Sequence, residues 1–419
     1  MKKQHQIILL LVISLVTKSI AAQSVKRVLF LGNSYTYVNN LPQLFADVAH
    51  SAGDSVIFDS NTIGGYTLQN HCNDANSLAK IITGSWDMVV LQEQSQMPSF
   101  PIAQVQSSVF PYAHQLDSLI HLYNPCAETI FYMTWGRKTG DATNCSIWPP
   151  VCTYEGMDSL LRLRYLMMAD DNNGIVAPVG PVWHYIRNQN PLLELYQTDF
   201  SHPSLAGSYA AACAFYASVF RHDPMLITND CGVNAADAAF IRSAAKAVAF
   251  DSLNNWFVGA YDPVASFNYI INGGTVSFNS TSSNGINFSW DLGDGTTGTG
   301  DQITHTYSQL GSYEVTLTAE NCGLLSSITD TITFSSTGLS DLQQSSIYFY
   351  DATSHSLRFN NSLPVNAELL IYDLSGKQLI QQSLFKETTS VSLNNLNSGI
   401  YLVGVNTATT TFSGKLLIP

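Results

Sequence analysis

The 419 residues exceed what one hydrophobic core usually organises, so the chain divides into several domains. With 45% hydrophobic and 12% charged residues it has the composition of packed domains, which excludes a largely disordered chain. Its formal charge of −13 argues against nucleic acid or an anionic membrane as a partner.

Residues 1–22 read as a secretory signal peptide. Lys2 and Lys3 form its positive end, Ile7–Val16 its apolar run, and Ser19-Ile20-Ala21-Ala22 the small residues of a cleavage site. That run is too short to span a bilayer, and no later stretch replaces it, so no transmembrane segment is expected after cleavage. Cleavage removes three of the 18 basic residues against 31 acids, leaving a mature charge of −16. Export permits disulfides among the seven cysteines. Cys145 and Cys152 flank a Trp148-Pro149-Pro150 loop and form the most natural pair. Cys72 with Cys126 and Cys213 with Cys231 are further candidates, which leaves Cys322 as the odd one. No Cys-x-x-Cys or His-x-x-x-His spacing occurs, so no metal site is expected.

From 24 to 255, short apolar runs alternate with helical patterns, the signature of a parallel sheet covered by helices. Strands are predicted at Val28–Leu31, Val56–Asp59, Met88–Leu91, Ile130–Thr134 and Ile175–Pro178. A helix is predicted from near Asn40, with Pro42 in its first turn and Leu41, Leu44, Phe45 and Val48 on its buried face. Further helices are predicted at Gln104–Leu122, Glu155–Ala169, Ser204–Phe220 and Ala235–Asn254, the first of them kinked or split by Pro111. After Phe257 the composition changes: lysine and arginine are absent from Val258 to Leu339, and Ser, Thr and Gly dominate. Alternation at Thr275–Phe278, Tyr313–Thr318 and Ile328–Phe334 reads as a small β-sandwich. A Ser/Thr/Gly-rich joint at Ser335–Ser340 leads to a second β segment, with strands at Ala367–Tyr372, Ser390–Leu393 and Ile400–Val405.

The chemistry centres on Gly32-Asn33-Ser34-Tyr35-Thr36 and Asp199-Phe200-Ser201-His202. A buried strand that stops at Gly-Asn-Ser presents one hydroxyl at the sheet edge, where ligands bind in open α/β sheets. A serine hydroxyl is a weak nucleophile until a base accepts its proton. Asp and His three residues apart share one turn, so a single loop can supply His202 as base and Asp199 to orient it. His184 is a rival base without an Asp three positions before it, and reads better as a hydrogen-bonded structural histidine. Trp135 and Trp183 are compatible either with a sugar cleft or with packing. Glu93 reads as structural, and Asp170-Asp171 as a solvated helix end.

These blocks resemble those of the SGNH, or GDSL-type, hydrolases. Gly32–Thr36 matches the nucleophile block and Asp199–Pro203 the terminal block. The resemblance implies a flavodoxin-like three-layer α/β fold over 24–255 and a serine esterase with catalytic Ser34, Asp199 and His202. It also implies an oxyanion hole from the Ser34 N–H, the Gly65 N–H in Thr62-Ile63-Gly64-Gly65-Tyr66, and a third donor. The usual Gly-x-Asn-Asp block is replaced by Trp86–Gln96, similar to the Gln-bearing variant of some carbohydrate acetylesterases. That points to the Gln92 amide as donor, with Gln94 as the alternative; losing such a donor costs roughly 3–4 kcal/mol of transition-state stabilisation.

Residues 262–336 resemble a PKD domain, an immunoglobulin-like sandwich, through Trp290-Asp291-Leu292-Gly293-Asp294-Gly295, His305-Thr306-Tyr307 and Gly311–Leu317. Trp290 and Tyr313 are expected to fill its core. Residues 341–419 resemble the C-terminal sorting domain of type IX secretion cargo through Ile371–Lys377, Leu396–Leu402 and Lys415–Pro419. Two all-β sandwich domains should therefore follow the α/β domain. The implied protein is a secreted or surface-attached esterase that removes acetyl or other small acyl groups from carbohydrate. It would need no cofactor and would engage the type IX secretion machinery. The alternative is a non-catalytic adhesion or carbohydrate-binding protein with a degenerate hydrolase domain.

Overall fold

The computed structural model describes residues 25–334, 348–359, 367–407 and 411–418; the expected signal peptide and the Ser335–Ser340 joint lie outside them. Among these residues no helix is long and apolar enough to cross a membrane.

Residues up to Asp262 form one compact unit. Its sheet has five parallel strands, β1 (Val25–Gly32), β2 (Ser55–Thr62), β3 (Met88–Leu91), β4 (Glu128–Tyr132) and β5 (Ile175–Ala177), in the order β2-β1-β3-β4-β5. This is the flavodoxin-like doubly wound order, whose switch point lies between β1 and β3. Val28, Leu29, Phe30 and Leu31 are all fully buried, as are Val89 and Leu91, because helices cover both faces of a parallel sheet.

The connecting helices are α1 (Ser34–Tyr37), α2 (Leu41–Ser51), α3 (Leu68–Asn73), α4 (Ala75–Thr83), α5 (Ile102–Ser108), α6 (Phe110–Tyr123), α7 (Tyr154–Asp171), α8 (Val179–Gln189), α9 (Leu205–Phe220) and α10 (Ala235–Val248). The five predicted strands and the predicted helices are present, the helix predicted over Ala235–Asn254 ending at Val248 before a 3-10 turn at Phe250–Trp256, with three further differences. A short α1 precedes α2, and the two are separated by left-handed Asn39 and Asn40. The segment predicted as one helix from Gln104 is divided at Val109, with Pro111 in the first turn of α6, where its missing N–H costs nothing. Helices α3, α4 and α8 were not anticipated.

Cys145 and Cys152 are bonded as expected. Cys72, Cys213 and Cys231 are free thiols, so the other two candidate pairs do not form, and Cys126 and Cys322 are each disulfide-bonded. Cys213 lies fully buried in the core-facing helix α9.

The second unit, from Pro263, contains two β regions. Phe267–Phe334 folds into a three-stranded and a four-stranded antiparallel sheet around Trp290, whose Nε1 donates to Gly300 O at 2.9 Å. Tyr307, rather than Tyr313, is the buried tyrosine of this core; Tyr313 packs at its margin. Gly293 is required at its turn, since it adopts φ +79° and an added Cβ would lie 2.7 Å from Glu314 O. Residues 348–418 form a further three-stranded and four-stranded sheet around Leu357, Leu369, Ile371 and Val405.

Candidate active site

Strand β1 delivers the candidate nucleophile. It ends at Gly32, where a Cβ would meet Thr36 Oγ1 at 2.5 Å and Gln92 Oε1 at 2.8 Å, so the turn is passable only to glycine. Asn33 then caps α1: its side chain accepts from Tyr35 N at 3.2 Å and its carbonyl from Thr36 N at 2.9 Å. Ser34 is the first residue of α1 and is half-buried.

Behind this turn sits His71, fully buried, with Nε2 3.0 Å from Gly32 O and Nδ1 2.7 Å from Ser77 Oγ. A carbonyl only accepts, so Nε2 carries the proton and Nδ1 accepts from the serine. Burial pulls the His71 pKa below the ordinary histidine value, against the opposing effect of the Gly32 carbonyl.

The second contributor is the loop between α8 and α9. Asp199 Oδ1 accepts from Ser201 N and His202 N, each at 3.0 Å, forming a tight Asx-type turn. Phe200, between them, is forced to φ +59°. The other Asp199 oxygen pairs with His202 Nδ1, and His202 Nε2 lies 2.8 Å from Ser34 Oγ. Ser34, His202 and Asp199 are thus brought into one line of hydrogen bonds, although the serine and histidine are 168 positions apart. Partial burial raises the Asp199 carboxyl, but the His202 bond and the two N–H groups outweigh it and hold the pKa below the usual carboxylate value. Asp199 is therefore anionic at neutral pH and suited to stabilising an imidazolium.

Residues outside the candidate triad hold this loop. Trp135 Nε1 donates to Ser201 O at 3.1 Å, the Tyr35 hydroxyl bonds Ser201 Oγ at 2.7 Å, and Lys138 N donates to Phe200 O at 2.9 Å. Tyr35 stacks on Trp135 at 4.7 Å, and Trp135 on Trp183 at 3.7 Å. Both tryptophans are fully buried, so they are packing residues and not walls of a sugar cleft. Aromatic residues following β1, β4 and β5 were the available signal for this stack.

The oxyanion donors divide. Neither Ser34 N nor Gly65 N donates to a protein acceptor among the described residues, and Gly65 holds φ +73° in an exposed turn. That turn is tied to the nucleophile by Asn33 Nδ2, which donates to Tyr66 O at 2.8 Å. Gln92 does not fit the donor role read from its position. It is fully buried, and its Nε2 is spent on Asn33 Oδ1 at 2.9 Å and Glu93 O at 2.5 Å. Its Oε1 accepts from Asn33 N and Thr36 Oγ1, both at 2.9 Å, so every hydrogen-bonding position of the amide is occupied. Gln94, the alternative, is half-buried and keeps its amide nitrogen within its own loop, 3.2 Å from Gln96 Oε1.

Glu93 is fully buried and structural: its oxygens accept from Gln94 N at 2.5 Å and Leu68 N at 3.2 Å. His184 is bonded through Nδ1 to Asp158 at 3.0 Å, away from Ser34. Asp170 and Asp171 are exposed at the end of α7. Among the described residues no cluster of His, Cys, Asp or Glu could hold a metal ion.

No protein of curated function matches the sequence. Solved structures similar to the chain include a DUF4886 family protein from Bacteroides uniformis (15% identity, 55% of this chain and 95% of that one, TM-score 0.48). Another is a candidate SGNH hydrolase from Slackia heliotrinireducens (26% identity, 47% and 100%, TM-score 0.39). A third is an acetyl xylan esterase from Geobacillus stearothermophilus (18% identity, 46% and 94%, TM-score 0.33). Two family models match the remainder of the chain. Residues 264–335 form a PKD domain, and residues 346–419 form a secretion system C-terminal sorting domain that directs the chain to the cell surface.

Proposed function

We propose that the α/β unit is a serine esterase working outside the cell, removing acetyl or other small acyl groups from carbohydrate. The observation that carries this reading is the continuous Ser34–His202–Asp199 hydrogen-bonded line at the carboxyl edge of a doubly wound sheet. Ser34 Oγ attacks the ester carbonyl while His202 Nε2 takes its proton. The Ser34 and Gly65 N–H groups receive the developing oxyanion. His202 then protonates the departing sugar oxygen, and water, activated by the same imidazole, hydrolyses the acyl-serine. Asp199 keeps the Nδ1 proton in place throughout and offsets the imidazolium charge. The steps use no metal or organic cofactor.

The carbohydrate half of the proposal is supported by the likeness of Trp86–Gln96 to the Gln-bearing acetylesterase variant and by the cell-surface address. Hydrolysis of p-nitrophenyl acetate by the protein and by its Ser34→Ala form is the direct test. Loss of essentially all turnover in Ser34→Ala is expected. Equal rates would remove Ser34 from the chemistry, and an inactive wild type would favour the adhesion protein. A panel of acetylated oligosaccharides then tests the sugar assignment.

A further inference from the structure

Apart from the triad, the α/β unit carries a cavity of about 400 Å³ between α7, α8, the end of α10 and the turn that follows it. Its volume lies in the range of cavities that hold small ligands. None of Ser34, Asp199 and His202 lines it.

Arg162 and His184 both line it. The Arg162 guanidinium lies over the Trp256 ring at 5.3 Å and makes no hydrogen bond or ion pair among the described residues. Trp256 is itself pinned by its Nε1 bond to Val248 O at 2.8 Å, so the arginine rests on a fixed surface. The His184 ring is oriented by Asp158 on Nδ1 and by stacking with Tyr154 at 5.8 Å, and Nε2 has no partner among the described residues. Asp158 is the sole carboxylate of the lining, and both of its oxygens are committed, one to His184 and one to Gly136 N at 3.3 Å. The Asn188 and Asn255 amides complete the lining, with no protein partner for either among the described residues.

An unpaired guanidinium backed by an aromatic face, with a histidine ring nitrogen and neutral amides around it, fits a carboxylate flanked by hydroxyl groups. We propose that this cavity is a second ligand site that binds an acidic sugar of the hexuronate class. Arg162 holds the carboxylate, His184 Nε2 accepts from a ring hydroxyl, and Asn188 and Asn255 bond the other hydroxyls. A neutral sugar leaves the guanidinium unpaired and binds more weakly. The site stands apart from the esterase reading, since its occupancy requires no reaction at Ser34.

Isothermal titration of the whole protein with D-galacturonate, and with D-galactose as its neutral twin, tests the proposal. Saturable galacturonate binding in the millimolar range is expected, with galactose weaker by about tenfold or more. Arg162→Gln should weaken galacturonate by about tenfold and leave p-nitrophenyl acetate hydrolysis unchanged. Ser34→Ala should keep the galacturonate affinity, which separates this site from the triad. Should Arg162→Gln fold poorly, Asn255→Leu replaces it, with weaker binding of the sugar expected and the guanidinium intact. Equal affinity for the two sugars, no binding of either, or wild-type galacturonate affinity in a folded Arg162→Gln protein would overturn the assignment.

Discussion

Gln92 and Asn33 exchange hydrogen bonds through both ends of the glutamine amide. Asn33 N–H donates to Gln92 Oε1, and Gln92 Nε2 donates to Asn33 Oδ1, each at 2.9 Å. Asn33 immediately precedes Ser34, so this pair sets where the hydroxyl emerges from β1. Because Thr36 Oγ1 also donates to Gln92 Oε1, one buried side chain reads both sides of the nucleophile. Gln92 is a positioning residue.

Gln92→Ala should therefore lower stability and activity together. It leaves the buried Asn33 N–H unsatisfied, at a cost of about 1–3 kcal/mol. An oxyanion donor would behave differently, lowering kcat with little change in Tm. Parallel measurement of Tm and kcat on p-nitrophenyl acetate separates the two roles. A folded variant of unchanged Tm and greatly reduced kcat would restore the amide to the oxyanion hole.

The loop of the candidate base makes a second prediction. Trp135 Nε1 is a buried donor to Ser201 O, one residue before His202. Trp135→Phe keeps an aromatic ring against Tyr35 and removes this donor. A stability loss of about 1 kcal/mol is expected from the orphaned carbonyl. A fall in kcat of roughly tenfold to a hundredfold should accompany it, as His202 drifts from Ser34. Trp183→Phe is the control: Trp183 Nε1 donates to Gly207 O on α9, so its loss should cost stability with a smaller change in kcat. Equal kinetic effects in both variants would mean that general loosening, and not placement of the loop, is being measured.

The three residues of the candidate triad were legible because each block announces itself locally. Apolar β1 ends at Gly-Asn-Ser, and Asp199 and His202 fit one turn. The sheet was legible for the same reason, since buried parallel strands read as continuous apolar runs. Helix α8 was hidden by Pro178, Gly180 and Pro181, which look like loop chemistry. Gly180 is there because a Cβ would sit 2.4 Å from Thr134 O, a tertiary requirement. Helix α3 did carry a signal, the Thr67/Asn70 capping box, but six residues are too few for helical periodicity to show. Gln92 marks the deeper limit. Residue type says that an amide can donate to an oxyanion; whether it is already spent depends on Asn33, 59 positions earlier.

Glu93 links the same region to pH. Burial pushes its carboxyl from the ordinary 4.5 up to about 8, against the pull of the Gln94 and Leu68 N–H groups. Below pH 4.5 the folded and unfolded chains both hold this proton, and the residue contributes no pH dependence. Between 4.5 and about 8 the unfolded chain releases the proton while the folded chain retains it. The folded state binds more protons there, so stability falls as pH rises, by about 1 kcal/mol per pH unit from this group. Above that window the effect levels off. Glu93→Gln removes the titration and retains one acceptor oxygen. Its stability relative to the wild type should therefore climb steadily from pH 5 to pH 8, whatever the constant offset of the substitution. Urea unfolding at a series of pH values measures the difference, and two parallel stability–pH curves would mean that Glu93 already ionises inside the fold near the usual carboxylate pH. Glu93 also adjoins Gln92, whose Nε2 donates to the Glu93 carbonyl. A rise in Glu93→Gln stability without a change in kcat at pH 8 would place the charge outside the reaction, in the packing beneath the nucleophile.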